Sequence, residues 1–124
     1  MKWNLDSDRP IFSQIMEIIQ KDIVSGALQP GEKLPSVRNL AADASVNPNT
    51  VQKAFSELER MGLVYSQRTS GKFITEDVGL IEEMKKALAK TLISSFLNNM
   101  EQLGFTKDEA LALTKRAGEE GQDD

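Results

Sequence analysis

The sequence contains no cysteine and no histidine. Without cysteine the chain cannot form a disulfide, a thiolate zinc site or a thiol nucleophile. Without histidine it lacks the usual catalytic triads, histidine-ligated metal sites and histidine-based pH switches. The adjacent carboxylates at Glu82-Glu83 and Asp108-Glu109 point to different sides of a helix, which is typical of solvated surface. We therefore predict that the protein is not an enzyme and uses no metal or other cofactor.

Long hydrophobic runs are also missing. None approaches the roughly 20 apolar residues that cross a bilayer. The N-terminus, MKWNLDSDRP, lacks the basic-then-apolar arrangement of a signal peptide. The chain has 124 residues, of which 40% are hydrophobic and 27% charged, a balance typical of a soluble globular protein. We expect a cytoplasmic protein with no membrane partner.

Positive charge is in short supply overall but not in the first part of the chain. The formal net charge is −4. Residues 1–75 carry nine Lys/Arg against eight Asp/Glu, whereas residues 76–124 carry six against eleven. Binding to nucleic acid requires a positive surface only where the protein meets phosphate. We place a domain boundary between residues 75 and 76, and we expect a frayed acidic tail from Glu119 to Asp124.

Residues 1–75 have the pattern of a mainly α winged helix-turn-helix domain. Apolar residues at spacings of three and four predict helices, and polar caps, proline and glycine predict where the helices begin and end. A short β-hairpin follows the third helix and forms the wing. The predicted elements are a helix over Pro10–Ser25, a short helix capped by Ser36, a helix capped by Asn47 and stopped by Gly62, and strands over Leu63–Gln67 and Lys72–Thr75.

Residues 76–124 are expected to add two helices. The first runs over Asp77–Leu103, and Thr106 with Glu109 forms a capping box for the second, over Lys107–Ala117. The long helix carries a broad apolar stripe, which we interpret as a homodimer interface because so small a domain cannot cover it. The alternative is a helix packed on its own domain. The stripe consists of Ile81, Met84, Leu88, Leu92, Phe96, Met100 and Leu103.

One segment carries a more specific signal. The run LPSVRNLAADASVNPNTVQKAFSELERMGLV at residues 34–64, followed by SGKFI at residues 70–74, resembles the DNA-binding domain of the GntR family of bacterial transcription regulators. The matching pattern is LPS-x-R-x-LA, then TV-x-x-A-x-x-x-LE-x-x-G and a glycine-containing wing. The resemblance covers about the first 75 residues. Two short helices after the wing look like the YtrA-like subgroup, in which the resemblance implies that they hold two subunits together.

The third helix has the surface of a DNA-reading helix. Its first two turns present polar and basic side chains with no acid, and its positive N-terminus suits a phosphate. The resemblance implies that Arg38 also contacts DNA; the alternative is an ion pair with Asp43. The wing residues have a solvated turn as their alternative, and Ser36 and Asn47 are interpreted equally well as helix caps alone. The predicted DNA contacts are Ser36, Arg38, Asn47, Asn49, Thr50, Gln52, Lys53, Arg68, Gly71 and Lys72.

Two departures from the family pattern affect sequence preference. Many relatives place arginines where this chain has Pro48 and Gln52, so guanine recognition by this helix is disfavoured. We therefore predict A·T base pairs under the helix. The wing has Gly71 in place of the usual glycine pair.

These observations favour a transcription regulator that binds an inverted-repeat DNA operator as a homodimer. We expect it to act as a repressor. The alternative is a winged helix used for protein–protein contact without specific DNA binding. Regulation by a small-molecule effector and regulation by protein concentration alone both remain open.

Overall fold

The computed structural model describes residues 1–121 and divides the chain into two compact units, Met1–Lys85 and Lys86–Asp124. Five helices and one antiparallel hairpin follow one another in the order that the sequence predicts, which confirms a mainly α winged helix-turn-helix followed by two helices. Within the described residues no helix combines the length and the apolar character that crossing a bilayer requires. The elements are α1 (Ile11–Ser25), α2 (Val37–Ala44), α3 (Pro48–Arg60), β1 (Val64–Gln67), β2 (Gly71–Ile74), α4 (Val78–Gln102) and α5 (Lys107–Gly121).

The core of the first unit lies mainly between α1 and α3. The apolar stripe of each helix faces the other, so that the polar residues between the stripe positions remain outside. Side chains from the wing and from α2 close the same core. Its fully buried members, each 0% exposed, are Ile15, Ile19, Val51, Ala54, Phe55, Leu58, Leu63 and Ile74.

The turn between α2 and α3 is tight and locally determined. Ser45 ends α2 in the left-handed conformation at φ 57°, and its N–H returns to the α2 carbonyls. Val46 then donates its N–H to the carbonyl of Ala41 (3.0 Å) and packs against the core. Asn47 begins α3 by accepting the N–H of Asn49 on its side-chain oxygen (2.8 Å). These caps satisfy backbone groups that would otherwise lack partners at the two helix ends.

The wing is a two-stranded hairpin with a third segment along its edge. In the register of β1 and β2, Val64 pairs with Ile74 and Gln67 with Gly71. The segment before α2 also pairs with β2, because the Leu34 N–H donates to the Lys72 carbonyl (2.8 Å) and Lys33 bridges Phe73. The sequence predicts an extended backbone before Pro35 but not this pairing.

The first turns of α4 belong to the winged-helix core, which corrects part of the predicted dimer stripe. Ile81 is 9% exposed and lies within the core cluster, and Met84 packs against that cluster. The predicted stripe is continuous in sequence, but its start is covered by the chain itself. The first compact unit accordingly extends to Lys85, past the predicted boundary at residues 75 and 76.

The second unit retains large exposed apolar side chains on α4. On α4, Leu92 is 66% exposed and Phe96 40%, while Leu88 and Met100 are half-buried; Leu103, directly after the helix, is 73% exposed. α4 ends in a Schellman motif, because the N–H of Phe105 returns to the Met100 carbonyl (3.1 Å).

α5 begins at the predicted capping box. The Thr106 hydroxyl accepts the Glu109 N–H (3.1 Å), and the Glu109 carboxylate accepts the Thr106 N–H (2.9 Å). That backbone hydrogen bond lowers the pKa of Glu109. The helix continues to Gly121 rather than ending at Ala117, so Glu119 and Glu120 are helical and not frayed. Gly118 does not end the helix, because a single glycine within a helix costs only about 1 kcal/mol. The remaining tail residues, 122–124, lie outside the described residues.

Candidate nucleic-acid interface

The N-terminal half of α3 divides into a buried face and a polar face. Val51, Ala54 and Phe55 are buried, while Asn49 and Gln52 are exposed. Lys53 is also exposed, and Thr50 is half-buried. The polar face is therefore held outward by the apolar residues that alternate with it along the helix.

Two of these polar side chains have partners within the first unit. The Gln52 amide donates to the Ser56 hydroxyl one turn later, at a long 3.4 Å. The Lys53 ammonium lies 3.9 Å from the centroid of the Phe12 ring on α1, an arrangement that a cation–π attraction stabilises. Apolar spacing predicts that α1 has an apolar face but does not predict this contact.

The acids of α3 lie in its C-terminal half, where each is paired. Glu57 binds Arg60 at 2.8 Å, which raises the pKa of the Arg60 guanidinium. Glu59 accepts the ammonium of Lys72 at 2.9 Å. Hydrogen bonds from the Ser66 hydroxyl and then from Lys72 hold the pKa of Glu59 below its usual value. The positive end of the helix therefore carries no carboxylate, and such an end favours an anion.

α2 contributes a cap and an exposed cation. The Ser36 hydroxyl accepts the Asn39 N–H (3.1 Å), so Ser36 is the N-cap in the free protein. Arg38 is exposed and, among residues 1–121, takes part in no ion pair. The alternative pairing with Asp43 is not among the ion pairs of the described residues, and the Asp43 carboxylate instead accepts the indole N–H of Trp3 (2.8 Å).

The wing places its predicted contacts in two different environments. Arg68 is exposed in the turn between the strands. Gly71 has φ +110°, and a Cβ there would lie 3.2 Å from the Lys33 side chain, so a larger residue is disfavoured at this position. Lys72 is half-buried and turned towards α3 instead of pointing away from the wing. The wing tip and the start of α2 line one groove, so Ser36 and Gly71 both face it.

Comparison with known proteins decides the family. The model of "Bacterial regulatory proteins, gntR family" matches residues 12–74. The chain belongs to the GntR family. It is 42% identical over 115 residues to the HTH-type transcriptional regulator YhcF of Bacillus subtilis, covering 93% of this chain and 95% of that protein. It is also 37% identical over 101 residues to the HTH-type transcriptional repressor YtrA of the same organism, covering 77% of this chain and 78% of that protein.

A solved structure of a GntR family transcriptional regulator from Listeria monocytogenes has the same fold. It superposes with a TM-score of 0.84 at 40% identity, covering 90% of this chain and 98% of the other. The similarity to YhcF and YtrA extends past the winged helix into the C-terminal helices, which confirms the predicted YtrA-like affiliation. As a GntR protein the chain is a DNA-binding transcription regulator and not an enzyme.

Proposed function

We propose that this GntR protein is a repressor that binds an inverted-repeat operator as a homodimer, with α3 of each subunit in a major groove. The observation that carries the proposal is the outward, acid-free N-terminal half of α3. A two-fold symmetric dimer presents two such helices to two half-sites. Its relative YtrA of Bacillus subtilis is a transcriptional repressor, which supports the direction of the effect on transcription.

The chemistry of the α3 surface favours A·T base pairs. The amides of Asn49 and Gln52 can each pair with an adenine edge, and the Thr50 methyl group can contact that of thymine. Gln52 is free to do so, since its bond to Ser56 is long and easily exchanged. Lys53 lies beside the helix, over Phe12, and suits a phosphate better than a base edge.

Contacts to the DNA backbone are proposed for the surfaces that flank α3. The groove between α2 and the wing is lined by Ser36 on one side and by Gly71 on the other, and both could meet one DNA strand. Asn47 uses its amide oxygen as a cap, which leaves its NH₂ group available as a donor. The exposed cations Arg38 and Arg68 complete this set.

The homodimer is proposed to form through the second unit. The residues of the predicted stripe that remain after Ile81 and Met84 are assigned to the core are Leu88, Leu92, Phe96 and Met100 on α4 and Leu103 directly after it. Exposed apolar patches of this kind usually mark an interface. Because a DNA-binding regulator acts where the chromosome lies, we place the protein in the cytoplasm. An effector, if one acts, must have unequal affinity for two dimer geometries.

A gel-shift titration tests the function as a whole. The probes are the DNA upstream of the protein's own gene and a random duplex of equal length, each at 50 mM and 200 mM salt. We expect the upstream DNA to bind more tightly, with both affinities falling by about 10³-fold or more over this range if six or more phosphates are neutralised. Upstream DNA that binds no better than random DNA contradicts a specific regulator. Salt-independent or absent binding favours the protein–protein alternative.

Replacing Ser36 with aspartate separates its two roles. Aspartate caps a helix about as well as serine, so the melting temperature of Ser36→Asp should stay close to that of the unaltered protein. If Ser36 also faces a phosphate, the new carboxylate should weaken operator binding by about tenfold or more. The matched control is Ser36→Asn, which caps the helix about as well but adds no charge. Unchanged affinity in Ser36→Asp reduces Ser36 to a cap.

A further inference from the structure

Three side chains link the wing to the C-terminal half of α3. The Lys72 ammonium donates to the Glu59 carboxylate and to the Ser66 hydroxyl, both at 2.9 Å. The Ser66 hydroxyl donates its single proton to the other oxygen of Glu59. The three groups close a ring in which the Ser66 proton and two of the three Lys72 donors have acceptors. Ser66 and Lys72 are directly paired across β1 and β2, so the ring joins both strands to the helix.

This ring is more enclosed than the other ion pair of α3. The side chain of Lys72 is 21% exposed and that of Glu59 30%, whereas Arg60 in the pair with Glu57 is 71% exposed. A lysine that contacts phosphate presents an unengaged ammonium to the DNA. Here two of its three donors are already used within the protein.

The opposite face of the hairpin carries a contact between its own two strands. Tyr65 and Phe73, the neighbouring cross-strand pair, stack with ring centroids 5.7 Å apart. Successive pairs lie on opposite faces of a hairpin, so the stack joins the two strands on one face while the ring ties the other face to α3. The ring adds a side-chain link to the backbone pairing of Leu34 with Lys72 and to the buried Ile74, which also hold the hairpin on the domain.

We propose that Glu59, Ser66 and Lys72 form a brace that orients the wing on α3, and that Lys72 is a positioning residue rather than a phosphate contact. Arg68 is then the cation that the wing presents to DNA. The inference rests on the proposed operator binding, since the orientation of the wing matters only if the wing meets DNA beside α3. A pre-oriented wing lowers the cost of ordering it on the operator.

The sign of one substitution distinguishes a brace from a phosphate contact. Removing a carboxylate near DNA should strengthen binding, and all the more if it frees a lysine to reach phosphate. A brace predicts the reverse: Glu59→Ala should weaken operator binding by about fivefold for each wing. The matched control is Glu57→Ala, which removes the same charge from the same helix and frees Arg60 without touching the wing. Its affinity should be unchanged or slightly higher.

A double variant tests whether Lys72 acts through Glu59. In a brace, adding Lys72→Met to Glu59→Ala changes neither the affinity nor its salt dependence. If Lys72 contacted phosphate, the Lys72→Met substitution would lower the magnitude of the slope of log K against log salt by about 0.9 per contact. This would hold both in the unaltered protein and in Glu59→Ala. The probe is the duplex of highest affinity selected by the unaltered protein from a randomised library.

The outcomes divide cleanly. Weaker binding by Glu59→Ala than by Glu57→Ala, with no added effect of Lys72→Met, supports the brace. Equal or tighter binding by Glu59→Ala overturns it. If the unaltered protein selects no duplex over random DNA, the proposed function fails, and the brace is judged by ¹⁵N relaxation in the free protein. Increased mobility at Thr69 and Ser70 in Glu59→Ala but not in Glu57→Ala then supports it, and unchanged mobility overturns it.

Discussion

Substituting Asn49 with glutamate is expected to abolish specific operator binding while leaving the fold intact or more stable. Asn49 is exposed in the first turn of α3, at the end that we place in the major groove. A carboxylate there faces both the base-edge acceptors and the phosphates, and like charges in an interface cost several kcal/mol. We expect an affinity loss of about 100-fold or more, since each 1.4 kcal/mol is a factor of ten.

The same substitution should act in the opposite direction on stability. Acidic residues in the first turn of a helix interact favourably with its positive end, by about 0.3–1 kcal/mol. Asn49→Glu should therefore lower the operator affinity measured by gel shift and raise the melting temperature. A misfolded variant would instead lose both affinity and stability. Ser56→Glu introduces the same charge one to two turns further along the exposed side of α3, and it should cost much less affinity. Operator binding by Asn49→Glu at the unaltered level would contradict the assignment of α3.

The helices are readily predicted from the sequence because their signals are local. Ser36 and Asn47 cap the helices that follow them through hydrogen bonds that span only three and two residues. The capping box at Thr106 likewise needs only its own neighbours. Apolar spacing predicts which face is buried, whatever it packs against.

The environment of Lys72 depends on an arrangement that local patterns do not encode. The ion pair with Glu59 requires the register of β1 with β2 and the angle at which the hairpin leaves α3. A basic residue beside a wing glycine is therefore interpreted as a DNA contact when only the sequence is known. Once Ser66 is known to lie opposite Lys72, the period of two in the hairpin would point both side chains to one face.

The apolar stripe of α4 shows a second limit of the same kind. Apolar residues recur every three or four positions from Ile81 to Leu103. The start of this stripe nevertheless packs on the winged-helix core, whereas Leu92 and Leu103 remain exposed. Periodicity shows that a face is apolar but not which partner covers it, because the hydrophobic effect is non-directional. The position of the winged-helix core decides which residues of the stripe the chain covers itself and which are left for a second subunit.

That division makes the dimer interface testable without damage to the winged helix. Leu88→Glu with Leu92→Glu places two charges on the stripe beyond its buried start. Because Leu92 is 66% exposed in the single chain, its replacement should cost the monomer fold little. In a dimer the same carboxylates would be buried without partners, which is strongly unfavourable. Sedimentation should therefore shift from a dimer to the 13.7 kDa monomer.

A matched variant controls for added charge. Ser94 and Asn98 are exposed, have the same spacing as Leu88 and Leu92, and lie on the opposite side of α4 by helical geometry. Ser94→Glu with Asn98→Glu should remain dimeric. Operator affinity should fall by about 100-fold or more only in the leucine variant, because each half-site must then be bound without the effective concentration that its linked twin provides. If the leucine variant keeps the mass of a dimer, the interface does not lie on α4. If it becomes a monomer yet binds the full operator with unaltered affinity, dimerisation is not needed for DNA recognition.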